Sequence, residues 1–182
     1  MTSKKLTFVQ SQDVETQVFG WGKLSWLSEP SVTAAERFSA GVVKLEPGKG
    51  HERHNHPYSE EILYVVRGEG RQMVELPEGI VEENISSGTL VHIPTALFHS
   101  TINTGTDTLE MIAIYAPFGP EAELRRLDGV TLEPPQRPQQ LPRMRTAAKT
   151  RPRETAKPGQ TPMTRRRAPL PRSGRRPRWR GR

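Results

Sequence analysis

Between residues 37 and 117 the apolar positions fall in short runs. The stretches 38–45, 62–67, 72–76, 80–85, 89–93, 98–103 and 109–115 are rich in Val, Ile, Leu and Tyr, side chains that suit a pleated, half-buried surface. Turn formers separate them at Pro47-Gly48, Gly68-Glu69-Gly70, Pro77-Glu78-Gly79, Ser86-Ser87-Gly88, Asn103-Thr104-Gly105 and Pro117. Short strands at this spacing, with no long 3.6-residue period among them, predict an all-β sandwich or barrel. One short helix is expected around 121–127, after Pro120.

Ahead of these runs, Phe19-Gly20-Trp21-Gly22 and Leu24-Ser25-Trp26-Leu27 place two large aromatics in a glycine-broken segment. They are expected either to form an N-terminal strand pair covering the barrel or to offer a strand edge as a homodimer contact. The predicted organisation is an N-terminal strand extension over 1–36, a barrel over 37–118, a short cap over 119–136 and a tail over 137–182. No internal repeat is visible.

Charge sharpens the last boundary. The whole chain of 182 residues carries a formal net charge of +7, which taken alone suggests a partner with an acidic surface. Residues 1–136 hold 11 Lys and Arg against 19 Asp and Glu, a net of −8, whereas 137–182 hold 16 against one, a net of +15. That tail also has 8 of the 17 Pro and only 9 of the 60 apolar residues. So little apolar surface cannot offset an ordering entropy of roughly 1–2 kcal/mol per residue, so the tail is expected to be a disordered, Arg/Pro-rich arm. Its function is then optional: a linker, a solubilising arm, or a nonspecific, salt-sensitive contact to nucleic acid. The sequence lacks cysteine, so any metal must be held by His and carboxylate. Without a secretory signal or an apolar run of about 20 residues, the expectation is a soluble, cytoplasmic protein that does not enter a membrane.

All five His residues lie between positions 51 and 99. His54-Asn55-His56 puts two imidazoles at i and i+2 of a segment read as extended, hence on one face. Glu61 shares strand parity with Leu63 and Val65, and His99 opens a later strand. Three imidazoles and one carboxylate fill four positions around a divalent ion and leave room for water or substrate.

The spacing also resembles a known pattern. Gly48, five residues, His54-x-His56, four residues, Glu61, six residues, Gly68 resembles the first motif of the cupin superfamily. Gly88, five residues, Pro94-x-Ala96, two residues, His99, three residues, Asn103 resembles the second, except that Ala96 stands where the family usually has Gly. An Ala there is strained if the turn needs φ > 0. The resemblance implies a single jelly-roll β-barrel, with His54, His56, Glu61 and His99 coordinating a metal in its mouth. Fe, Mn, Ni, Zn and Cu all accept such ligands, so the donor set does not choose among them.

Other side chains are candidates for lesser roles. His92 and Tyr58 are candidates for contacting substrate or supporting a ligand, His92 only if it faces the lumen. His51 reads as an exposed turn residue, and Glu60 is the alternative carboxylate. Tyr64 and Tyr115 are further phenols, while Arg37, Lys44, Arg67 and Arg71 are expected mostly at solvated edges. The family that the chain resembles includes dioxygenases, decarboxylases, isomerases, lyases and sugar-binding sensors, so fold alone fixes no reaction. The leading expectation is a small metal-dependent enzyme acting on a chelating organic acid or sugar derivative, with Glu61 or a metal-bound hydroxide as the base. Its rival is a non-catalytic ligand sensor whose basic tail contacts an acidic partner.

Overall fold

The computed structural model describes residues 5–137; the expected disorder of the tail, apart from Arg137, lies outside the described residues. In chain order the elements are β1 (Thr16–Phe19), β2 (Gly22–Ser28), β3 (Ser39–Leu45), β4 (Gly50–His54), β5 (Glu60–Arg67), β6 (Glu69–Leu76), β7 (Gly79–Ser86), β8 (Leu90–Ile93), β9 (His99–Asn103), β10 (Leu109–Ala116), α1 (Pro120–Leu124) and β11 (Thr131–Glu133). The protein is all-β, as the apolar pattern predicts. Among the described residues no helix is long and apolar enough to cross a membrane.

The strands form two antiparallel sheets, in the orders β11-β1-β2-β3-β10-β5-β8 and β4-β9-β6-β7. The two antiparallel sheets fit the expected β-barrel, although their hydrogen-bond ladders do not run on from one sheet to the other. The N-terminal strands β1 and β2 continue the larger sheet as interior strands. There β2 pairs with β3 and β1 with β11.

Alternation decides which side chains face inward. On β10, Leu109, Met111, Ala113 and Tyr115 are buried, and on β5 Glu61, Leu63 and Val65 are. On β9 the inward positions are His99, Thr101 and Asn103. Ile85 of β7 joins this core from the smaller sheet, and Leu124 of α1 joins it from the end. Trp26 is 1% exposed and its ring lies 5.6 Å from that of Tyr115. It therefore packs inside its own chain, the covering role expected of the strand pair, and is not available as a surface contact.

Two polar devices hold the ends. Arg125 grips the buried Glu29 with both guanidinium Nη atoms, at 2.9 and 2.8 Å, and Glu15 with Nε at 2.9 Å, tying the segment after α1 to the N-terminal strands. Burial opposes the Arg125 charge, but these carboxylates outweigh it and raise its pKa. Asn103, 1% exposed, donates to the carbonyls of Leu45 and Asp107 and accepts from the Gly105 N–H. Its side chain thus fixes the turn between β9 and β10, which explains why the second motif ends on it. Gly68 must be glycine, since φ is 91° and a Cβ would lie 2.8 Å from Leu109 Cα.

Candidate metal centre

The site forms where the two sheets face each other. His54 and His99 sit opposite one another on neighbouring strands β4 and β9, His56 lies just beyond the end of β4, and Glu61 points in from β5 on the other sheet. One donor atom from each of the four lies within 4.8 Å of the others. The Nε2 atoms of His54, His56 and His99 and Oε2 of Glu61 are all buried and all lack a hydrogen-bond partner. His99 Nε2 and His56 Nε2 stand 2.9 and 3.5 Å from that carboxylate oxygen.

The outer nitrogens settle the tautomers. His54 Nδ1 is 2.7 Å from the Glu52 carbonyl and His99 Nδ1 is 3.0 Å from that of Leu97. A carbonyl only accepts, so both Nδ1 atoms carry hydrogen and donate, which turns each Nε2 lone pair toward the centre. Buried polar atoms without partners are costly. Four of them aimed at one point fit a bound divalent cation.

The backbone explains how His54 and His56 reach the cluster. A turn ending at Leu97 buttresses them: the Ala96 N–H donates to the His56 carbonyl at 3.0 Å, and Asn55 Nδ2 donates to the Ala96 carbonyl at 3.1 Å. Ala96 has φ of 67°, so the turn does need the left-handed conformation in which alanine is strained.

Electrostatics follow burial. Burial works against the Glu61 charge, yet His56 and His99 overcome it and hold the carboxyl well below the usual range. Burial lowers His54 to about 3, with His51 and His99 adding repulsion. Burial also opposes a charge on His99, but the Glu61 carboxylate more than compensates and raises it. Tyr115, pushed well up by burial and by the Glu61 charge, remains a neutral phenol.

Several expectations are corrected. His51 is not an exposed turn residue: it lies in β4, its ring 3.8 Å from that of His54, and burial lowers it to about 4. The cause is a β-bulge. His51 pairs with Thr101 and His54 with His99, so three steps on β4 match two on β9. The extra residue brings both imidazoles inward despite their odd spacing. His92 does not face the lumen; it shares the outer face with its partner Ile62, is half exposed and meets Glu60 at 3.2 Å. The inward position of β8 belongs to Ile93, 2% exposed. Glu60 is thereby excluded as the ligand carboxylate, and Tyr58, 81% exposed, contacts nothing in the site. Tyr64 is also exposed, Lys44 and Arg67 both reach Glu110, and Arg71 pairs with Glu82.

The cluster borders a small cavity of about 20 Å³, whose walls include Trp21, His51, Thr101 and Tyr115 besides several aliphatic side chains. Among the described residues no Lys or Arg lines it. Trp21 and Thr101 were not singled out from the sequence for this role, since nothing local marks their inward direction.

Fold and site together define an antiparallel two-sheet protein with three His and one Glu converging between the sheets. The model of the cupin domain matches residues 41–115, and the chain belongs to the cupin superfamily. It is 30% identical over 120 residues to the polyketide synthase CurC of Streptomyces cyaneus, covering 66% of this chain and 75% of that protein. Protein SchB of Streptomyces halstedii is 29% identical over 128 residues, with 70% and 90% covered. Among solved structures, the oxalate decarboxylase of Lactobacillus farciminis in its formate complex superposes with a TM-score of 0.54 at 27% identity. This match covers 58% of this chain and 31% of that one.

Proposed function

We propose that this cupin is a metal-dependent enzyme acting on a small chelating organic molecule, with His54, His56, Glu61 and His99 as ligands. The observation that carries this reading is the set of four buried, partnerless donor atoms aimed at one point. A bound divalent ion would supply Lewis-acid polarisation of a chelated carbonyl or enol, or a place for O₂ beside it. The chain's own residues supply the rest. Glu61 contributes a fixed negative charge and is the one carboxylate among the four converging donors, hence its assignment as base. Tyr115, kept neutral, can donate a hydrogen bond.

Relatives differ in what they act on, as their names show: oxalate decarboxylase OxdC of Bacillus subtilis, glucose-6-phosphate isomerase of Thermococcus kodakarensis, and a polyketide synthase protein. The cavity wall favours the last chemistry. A neutral or singly charged chelator with an apolar body matches the aliphatic walls.

Elemental analysis of purified full-length protein, beside His54→Ala and His99→Ala, tests the metal site. About one divalent ion per chain is expected in the wild type, with loss in both variants. Unchanged metal content in the two variants would sink the assignment. Reconstitution with Fe, Mn, Ni, Zn and Cu then identifies the working ion.

A second reading is favoured by the segregation of charge into an acidic domain and a +15 arm: a ligand sensor whose arm holds a nucleic acid or another polyanion. Salt titration of DNA and RNA binding by the full chain and by a chain ending at Pro135 separates the two. Equal affinities would remove the arm from any such role.

A further inference from the structure

A cavity of about 20 Å³ holds roughly one water molecule, for which about 10–15 Å³ suffices. No organic chelator fits it as it stands. A much larger open cleft, about 590 Å³, lies on the outside and is lined in part by Gly20, Lys49 and Arg53. The residues common to both spaces are Trp21, His51 and His54. Of these, His54 belongs to the metal cluster, so Trp21 and His51 are the partition.

Their arrangement is a column of flat rings. Phe19 and Trp21 stack at 4.4 Å and 5°, Trp21 and His51 lie at 4.9 Å, and His51 and His54 at 3.8 Å. Phe19 pairs with Gly22 across the β1–β2 hairpin, so Gly20 and Trp21 form its two-residue turn. The Trp21 side chain therefore stands outside the paired ladder, and Gly20 beside it has open space around its Cα. A rotation of the indole breaks ring stacking and its packing against the core, but no strand pairing. His51 is less free, because β4 is paired to β9 at that residue.

We propose that Trp21 is the gate between cleft and cavity and sets which molecules reach the His54, His56, Glu61 and His99 cluster, with His51 as the surface it closes upon. Closed, the gate passes molecules of the size of water. Open, it admits a flat or narrow organic ligand from the cleft. The identity of that ligand rests on the proposed function; the gate itself does not require a bound ion.

Diethyl pyrocarbonate acylates accessible neutral imidazoles, and it can be applied to metal-free, full-length protein with mass spectrometry reporting each histidine. In the wild type His92 should react fast and His54 and His99 slowly. In Trp21→Ala the rates at His54 and His99 should rise about tenfold or more, as expected when a local opening becomes easier, while His92 stays constant as the internal reference. Trp21→Phe should fall between, and it carries the same comparison if the alanine variant unfolds. Rates at His54 and His99 within twofold of wild type in a folded variant would overturn the gate. In metal-loaded protein, extraction by 4-(2-pyridylazo)resorcinol should accelerate in parallel. Absence of bound metal would refute the proposed function and leave the acylation result standing.

Discussion

Replacing Ala96 by glycine should stabilise the protein. Ala96 holds φ at 67°, where an L side chain costs about 1–2 kcal/mol. Its methyl is exposed, so removing it sacrifices little packing. Against the relief stands the greater freedom of glycine in the unfolded chain, about 0.4–1 kcal/mol. The net gain is about 0–1.6 kcal/mol, centred near 0.8, which for a domain of this size raises Tm by up to roughly 6 °C. The two hydrogen bonds of this turn use backbone atoms of residue 96, so glycine keeps them and metal content should not change. Thermal melts and urea midpoints of the two proteins, both metal-free, measure the effect at an unchanged m-value. A lower Tm for Ala96→Gly would show that the strain is absent or that the methyl packs after all, and either outcome refutes the reasoning.

Acid should destabilise the metal-free protein well before its carboxylates titrate. Folding lowers His51 to about 4 and His54 to about 3 from the usual 6.5, so below about pH 6.5 the unfolded chain takes up protons that the folded one refuses, and stability falls with pH. The His51 shift alone is worth on the order of 3 kcal/mol at about 1.4 kcal/mol per pKa unit. His99, raised by folding, adds stability that is fully present in this window and fades only as pH rises through its folded value. Glu61, lowered by folding, loses its contribution only as pH falls below the ordinary carboxylate range. Urea midpoints that do not move between pH 7 and 4.5 would contradict this account. Trp26→Ala should cost about 3–5 kcal/mol with an unchanged oligomeric mass by light scattering, since Trp26 is internal. His92→Ala should leave metal content and stability within about 0.5 kcal/mol of wild type, as expected for an exposed surface substitution, and a loss of metal would return His92 to the site.

Strands with one buried face were legible because apolar residues alternate along them, as on β10, whereas β4, with no buried apolar residue, was not among the predicted runs. The ligand set was legible for a different reason. Donor residues that must meet at one point are constrained in spacing, so His54, His56, Glu61 and His99 stand out against a background with one other His on each side of the pattern's core. His51 was hidden because its direction depends on a bulge set by pairing with β9, a relation between segments about 50 residues apart. His92 was ambiguous because β8 is short and lies at the edge of its sheet. In such a strand one face is solvated, and the sequence Val91-His92-Ile93 does not say which. That the ladders of the expected barrel do not close between its two sheets was not legible, because strand closure is a property of register, which residue types do not encode.

That open seam has a consequence for stability. No hydrogen-bond ladder crosses between the two sheets, and the donors sit on both sides of the junction, Glu61 on one sheet and His54 and His99 on the other. An ion held there would clamp the seam, so its binding free energy would become folding free energy. Loaded protein should then melt higher than stripped protein by an amount that grows with free metal concentration. The same ion that would activate substrate would serve as a cross-link between sheets, and metal-starved chains would be the first to open.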